Sequence, residues 1–325
     1  MKHHYWEPPI ALYLFLGGLA GGILFLAAIF NSFVVPGYAE VFALPVLVSL
    51  VCVAIGCVFL VVDLGQPGVF WRVWTTSKSI IKWGATFLVI AAVFALLFLL
   101  AFIGDAWPIF AGLSGLLKPA ADFFLIVAGF FGLCIMMYTG IMLSTLKAHA
   151  FWATPALPVL FTVSALSTAC AAIALSLGGA LQLEGVALLL AELIHEIVHT
   201  VDIVLVVAEI VVLLVMVLSF YGAGNVCAHE VAARWVRGKT APLFWGGMVF
   251  GGLLLPLCLY VFGAGTAASA LVAPWLVLCG GLLLRYLCVY SDERAPIPGE
   301  VRFNERLPKK DAAFLTAWKK DENLY

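Results

Sequence analysis

The segment Glu192–Glu209 has the sequence ELIHEIVHTVDIVLVVAE and lies inside an apolar run from about residue 186 to residue 220. That run can span a bilayer, which takes about 20 apolar residues. At 100° per residue, its ionisable side chains fall on one arc of roughly 140° of a helix. A charge facing lipid at the bilayer centre costs about 2.5–3.5 kcal/mol, so we expect this arc to face a protein interior or a wet cavity. The arc consists of Glu192, His195, Glu196, His199, Asp202 and Glu209.

The rest of the chain is equally apolar. Its 325 residues are 64% hydrophobic and 11% charged, with a mean hydropathy of +1.13. This composition indicates a polytopic helical membrane protein and excludes a soluble domain. The first apolar run has full span length and lacks a basic start with a small-residue cleavage site. We therefore expect it to be a transmembrane helix and not a signal peptide.

Outward from the segment at 192–209, the apolar runs predict an all-α fold with eight transmembrane helices, of which this segment lies in the sixth. We expect a transmembrane domain over residues 1–290 and a charged tail over residues 291–325, and we expect the tail to dock a partner. Residues 221–240 are expected to form a polar connection. The predicted spans are 10–35, 41–62, 80–103, 120–146, 155–177, 186–220, 242–262 and 268–290.

The first predicted span contains four glycines within six residues. Gly17, Gly18, Gly21 and Gly22 form two pairs with four-residue spacing. Small residues at that spacing allow the backbone of another helix to approach closely. The sequence therefore predicts tight packing around the first span.

The basic residues predict the orientation of the chain. With eight spans, both termini lie on one side of the membrane. In the predicted connections and tail, Lys118 is the one basic residue that falls on the opposite side. Because cytoplasmic loops are enriched in Lys and Arg, both termini are predicted to be cytoplasmic, in a prokaryotic inner membrane. The lipid bilayer is the expected surroundings, and we expect no nucleic-acid partner.

The sixth span also contains a metal-site motif. His195-Glu-Ile-Val-His199 matches HExxH, which on a helix can supply two zinc ligands and a general base. A zinc site needs a third protein ligand, and downstream only Asp202 and Glu209 are present, on the same helix. An intramembrane zinc metalloprotease therefore stays open as an alternative, as does a proton or ion transporter built on this span.

Other redox centres are not indicated by the sequence. The eight cysteines form no CxxC pair, so we expect no iron–sulfur or zinc framework. Axial haem histidines normally come from different helices, whereas His195 and His199 alone lie well inside a predicted span. We therefore expect no haem, metal or iron–sulfur cluster in this chain.

Four segments resemble, in the correct order, the NrfD-like polysulfide reductase membrane-subunit family. Tyr13–Gly22 (YLFLGGLAGG) resembles the opening helix of that family, and Asp63–Trp71 (DLGQPGVFW) resembles its DLGRPxRFW segment. Tyr138-Thr-Gly, followed by Leu157–Phe161, is similar to its fourth-span tyrosine and fifth-span start. In the sixth span, HTVD at 199–202 with the glutamate at 209 resembles its H..D......E pattern.

The resemblance implies a quinone-reactive membrane subunit of a multi-subunit respiratory oxidoreductase. Such a subunit exchanges electrons between a quinone, here expected to be menaquinone, and a ferredoxin-like iron–sulfur subunit. A third, catalytic subunit is usually molybdopterin-dependent. Tyr138 corresponds to a tyrosine of the family's quinone pocket, and Tyr13 stands where polysulfide reductase has a histidine. A phenol can hydrogen-bond a quinone carbonyl but does not titrate near neutral pH.

The predicted topology places two candidate sites. Tyr13, Asp63 and Tyr138 lie toward the terminus side of three spans and are predicted to line one quinone cavity. The alternative is that Tyr13 and Tyr138 are interfacial belt residues. The six ionisable residues of the sixth span are predicted to form a proton route between this cavity and the opposite side, with a gap before Glu209 that another helix or water must fill.

Overall fold

The structure is a computed structural model that describes residues 8–63, 72–75, 80–147, 149, 151–178, 185–222, 226–263 and 265–291. Within these residues eight helices are long and apolar enough to cross a membrane, and there is no β-strand. The predicted all-α, eight-span fold is therefore confirmed. In chain order, the spans are Pro8–Phe33, Ala43–Asp63, Ile80–Ala106, Ala121–Ser144, Ala156–Gly178, Val186–Gly222, Leu243–Phe262 and Ala268–Val289.

The first span lies at the centre of the bundle, and its glycines explain why. A methyl group added to Gly21 would lie 2.5 Å from the carbonyl oxygen of Gly132 in the fourth span. One added to Gly22 would lie 2.7 Å from the carbonyl oxygen of Ala165 in the fifth span. The two predicted glycine pairs therefore serve two different partners: one face of the first span meets the fourth span, and the other meets the fifth.

The seventh and eighth spans begin with wide π-helical turns, over Leu243–Leu254 and Ala268–Val272. Each π-helical stretch ends two residues before a proline, Pro256 or Pro274, and an α-helix continues from there. Proline cannot donate a main-chain hydrogen bond, so the regular α-helical ladder is interrupted at these positions.

The connection between the sixth and seventh spans, for which the sequence predicted only a polar character, is partly helical. It contains the amphipathic helix Val226–Arg237. Its apolar side is buried, and the indole nitrogen of Trp235 donates a 2.9 Å hydrogen bond to Ser291 Oγ. The indole of Trp152, in the connection between the fourth and fifth spans, similarly donates to the carbonyl of Cys288 at 2.7 Å. These bonds fix the terminus-side end of the eighth span to two connections.

The remaining short helices lie in other connections. Ala39–Phe42 precedes the second span, and Arg72–Thr75 lies between the second and third. The connection before the fourth span forms three short helices. They are Pro108–Phe110, Ala111–Leu117 and Lys118–Ala120.

Candidate functional site

The first candidate site is formed by two tyrosines near the terminus side. Tyr13 is 7% exposed and Tyr138 is 6% exposed, and the two phenols are close enough to interact electrostatically. Tyr13 lies against Gly56 of the second span, and the Tyr138 ring packs directly on Gly84 of the third span. Residues of an interfacial belt would face lipid headgroups, whereas both of these side chains lie inside the bundle. The side chain of Asp63, the third predicted member, lies outside the described residues.

The two phenols make no strong hydrogen bond to the described residues. The Tyr138 hydroxyl donates to the sulfur of Met142 at 3.2 Å. A thioether is a weak acceptor, so this bond can be exchanged for a stronger one to a carbonyl oxygen. Among the described residues, the Tyr13 hydroxyl has no hydrogen-bond partner. Cys57 of the second span is its electrostatic neighbour.

The predicted arc of the sixth span changes from exposed to buried along its length. Glu192 and Glu196, nearest the opposite side, are exposed, and His195 and His199 are half-buried. The two acids that follow are buried almost completely. Asp202 is 1% exposed and Glu209 is 4% exposed.

Asp202 is held by hydroxyl groups from two other spans. Ser167 Oγ of the fifth span donates to Asp202 Oδ1 at 2.6 Å, and Tyr260 Oη of the seventh span donates to Asp202 Oδ2 at 2.9 Å. The ring of His199 packs edge-on against Tyr260, with ring centroids 4.3 Å apart. Asp202 therefore joins the fifth, sixth and seventh spans in one polar group.

Glu209 faces a buried cation of the eighth span. Its carboxyl group interacts with the Ser164 hydroxyl and with the guanidinium of Arg285, which is 0% exposed. Arg285 donates to Ser164 Oγ and, at 3.0 Å, to the carbonyl oxygen of Phe161. Its Nε atom is buried without a hydrogen-bond partner among the described residues. Ser164 thus lies between the acid and the cation.

Two cavities lie beside the sixth span on the side opposite the termini. The larger, of about 610 Å³, is bounded by the fifth, sixth and eighth spans and is lined by Glu192, His195 and Glu196 among apolar residues. The smaller, of about 10 Å³, is large enough for about one water molecule. His195 lines both, and the smaller cavity reaches Asp202. Together they lead from the exposed end of the helix to the buried acid.

A metal site is not assembled from the described residues. In that part of the chain, no group of three or more His, Cys, Asp or Glu side chains lies close enough to hold a metal ion. The buried Nδ1 atom of His195 has no hydrogen-bond partner there. This atom lies beside the two cavities, where a water molecule can supply the hydrogen-bond partner.

Sequence reasoning missed the groups that surround the acids. Ser164 and Ser167 are three residues apart, so they lie on one face of the fifth span. Two hydroxyls at that spacing in an otherwise apolar helix were the sequence feature that could have indicated a polar partner. Ser167 bonds Asp202 and Ser164 bonds Glu209, the two acids on either side of the predicted gap. Arg285 was visible as a cation inside a predicted span, but its partner could not be identified from the sequence.

Comparisons with known proteins agree with the resemblance. The family described as "Polysulphide reductase, NrfD" matches residues 1–292. A subunit of the polysulfide reductase of Wolinella succinogenes is 27% identical over 310 residues, which cover 89% of this chain and 94% of that protein. Protein NrfD of Escherichia coli (strain K12) is 26% identical over 314 residues, which cover 89% of this chain and 95% of that protein.

Proposed function

Since the chain belongs to the NrfD polysulphide reductase family, we propose that it is the subunit of a respiratory oxidoreductase that reacts with a membrane quinone. Family membership makes it a membrane-integral subunit of an oxidoreductase complex. The proposed reaction is the conversion of quinone and two electrons, with two protons, into quinol, or the reverse. Menaquinone is the expected substrate.

The observation that carries this proposal is the pair of buried phenols. Tyr13 and Tyr138 come from the first and fourth spans and are buried near the terminus side, close enough to interact electrostatically. A quinone has two carbonyl oxygens, and each accepts hydrogen bonds of the kind that a phenol donates. Because the Tyr138 hydroxyl is bonded only to a thioether, a quinone carbonyl can replace that acceptor at little cost.

Proton supply to the quinone needs a second group. A phenol does not give up its proton near neutral pH, so Tyr13 and Tyr138 orient the substrate rather than protonate it. Asp63, at the end of the second span, is the proposed proton-exchanging residue, because an ordinary carboxyl group releases its proton at a much lower pH than a phenol does.

The electrons are proposed to come from a ferredoxin-like iron–sulfur subunit, with a further catalytic subunit, expected to depend on molybdopterin. The Wolinella relative is named as one of several polypeptides of polysulfide reductase, which supports a partnered assembly. The expected docking face is the terminus side, where Trp152 and Trp235 fix two connections to the eighth span. Isolation of a fully active protein without any partner would contradict this part of the proposal.

The test of the quinone site is the substitution Tyr138→Phe in the assembled complex. Loss of one hydrogen bond to a buried carbonyl costs about 0.5–1.5 kcal/mol, which corresponds to a roughly two- to tenfold loss in quinone turnover. The matched control is Tyr286→Phe, which removes an exposed hydroxyl from the eighth span. Unchanged quinone kinetics in an assembled Tyr138→Phe complex would show that the phenol does not contact the substrate.

A further inference from the structure

The buried Asp, Glu and Arg side chains of the sixth and eighth spans do not balance in charge when all are ionised. Asp202 and Glu209 are two buried acids, and Arg285 is the one buried Lys or Arg side chain in the described part of the protein. Full ionisation would leave one uncompensated negative charge in a low-dielectric interior, which is strongly unfavourable. One proton shared by the two carboxyl groups makes the three residues neutral.

The contacts make these three residues one electrostatic unit. The Asp202 and Glu209 carboxyl groups interact with each other, although seven residues separate them along the helix. Residues seven positions apart lie about two helical turns apart on the same face of a helix, so both acids face the same side. The hydroxyls of Ser167 and Ser164 lie against the two acids. Both acids are therefore bonded to hydroxyls on one face of the fifth span.

The groups around this unit do not supply a second fixed positive charge. On the fifth span Cys170 faces Asp202, and on the eighth span Cys288 faces Glu209 and Arg285. Tyr260 of the seventh span donates to Asp202. Thiols and phenols are neutral when protonated, so none of them offsets an extra carboxylate.

The histidines of the sixth span connect the unit to water. His195 and His199 line the small cavity that reaches Asp202, and His195 also lines the cavity of about 610 Å³. Both side chains are half-buried, and an imidazole ring carries one nitrogen that can accept a proton and one that can donate a proton. The larger cavity lies at the end of the bundle opposite the termini, whereas on the terminus side the unit is covered by Phe161 and the end of the eighth span.

We propose that Asp202, Glu209 and Arg285 form a buried unit that holds one exchangeable proton, and that this proton exchanges with the aqueous side opposite the chain termini. Access runs through the larger cavity, past His195 and His199, to Asp202. This inference concerns the resting protein and stands apart from quinone binding.

Infrared difference spectroscopy on the purified resting complex at neutral pH tests the proton count without quinone turnover. A protonated buried carboxyl group gives a C=O stretching band that a carboxylate lacks, and the band shifts in D₂O. Wild type is expected to show one such band from this unit. Asp202→Asn and Glu209→Gln should each abolish it, because the remaining acid is then balanced by Arg285.

Substitution of Arg285 is expected to change the C=O band in the opposite direction. Arg285→Met should double the band, since both acids must then be protonated, while Arg285→Lys should leave one. Glu230→Gln, which changes an exposed acid of the helix Val226–Arg237 away from both cavities, is the control and should change nothing. A band that survives both Asp202→Asn and Glu209→Gln, or an Arg285→Met spectrum identical to wild type, would overturn the proton count.

Access is tested by the rate at which the band shifts after transfer to D₂O. Ala270 lines both cavities, so Ala270→Phe should slow the shift severalfold without changing the size of the band. Leu214→Phe, at a lipid-facing position of the sixth span, is the matched control and should exchange at the wild-type rate. Equal exchange rates in Ala270→Phe and wild type would overturn the proposed route.

Discussion

Gly21 and Gly132 meet backbone to backbone, so that a methyl group on either would lie within 2.6 Å of the carbonyl oxygen of the other. Side-chain carbons essentially never come closer than 3.0 Å to other atoms. Both positions must therefore be glycine for the first and fourth spans to keep their present separation. This contact fixes the distance between the helices that carry Tyr13 and Tyr138.

We expect Gly132→Ala to destabilise the protein by about 1–3 kcal/mol, the usual cost of overpacking a well-packed core. The reason is that the added methyl group meets main-chain atoms, which cannot rotate away. Gly246→Ala in the seventh span is the control, because a methyl group there meets nothing within 4 Å. Thermal unfolding of the detergent-purified complex measures the stability of both variants. Equal melting temperatures for the two variants would contradict the prediction.

We expect Tyr260→Phe to lower the unfolding free energy by about 0.6 kcal/mol, and by no more than about 1.7 kcal/mol. The variant removes one of the two hydroxyls that donate to Asp202 while keeping the ring that packs on His199. Ser167→Ala removes the other donor. Because both act on one carboxyl group, the double variant should deviate from additivity, whereas Tyr286→Phe should be neutral. Strict additivity would indicate that the two donors do not share an acceptor.

We expect His199→Ala and Asp202→Asn to keep electron transfer to an artificial acceptor but to lose proton translocation in sealed vesicles. Both residues lie where the path from the cavities reaches the buried acids. His229→Ala, which removes an exposed histidine outside the sixth span, should translocate protons normally. If wild type moves no protons across the membrane during quinone turnover, the sixth-span residues serve packing or local quinone protonation instead.

We expect truncation after Pro298 to weaken binding of the iron–sulfur partner. The tail lies outside the described residues, and its sequence after Pro298 contains six basic residues among acidic and apolar ones: Arg302, Arg306, Lys309, Lys310, Lys319 and Lys320. Such a segment can lie along an oppositely charged surface, so added salt should weaken binding to the full-length protein more than to the truncated one. Equal amounts of partner co-purifying with both proteins would contradict the docking role.

The spans were predictable because apolar length is a local property of the sequence. Each predicted span corresponds to one helix, and the glycine pairs of the first span correctly indicated close contacts. The helix Val226–Arg237 was missed because it is short and polar on average, although Ala228, Val231, Ala232 and Trp235 follow helical spacing. Its burial depends on Phe244, shortly after the helix, and on Phe151, which is distant in the sequence.

Of the polar groups, the sequence predicted those on the sixth span but not their partners on other helices. The ionisable arc of the sixth span follows from helical geometry, and so does the expectation that its centre avoids lipid. Helical geometry does not say which helix supplies the partners. Tyr260 and Arg285 lie 58 and 76 residues after Asp202 and Glu209, respectively, and only the packing of the bundle brings them together.

The central position of the first span has a consequence for biosynthesis. Of the eight spans this helix is synthesised before the other seven, yet the surfaces that cover Gly21 and Gly22 belong to the fourth and fifth spans, which are made later. Arg285, in the eighth span, is synthesised after both, and its guanidinium lies beside Gly18 of the first span. The earliest helix therefore completes its contacts only when the last has inserted. Nascent polypeptides arrested before the fifth span should form cross-links between the first and fourth spans, while the face of Gly22 stays accessible to lipid.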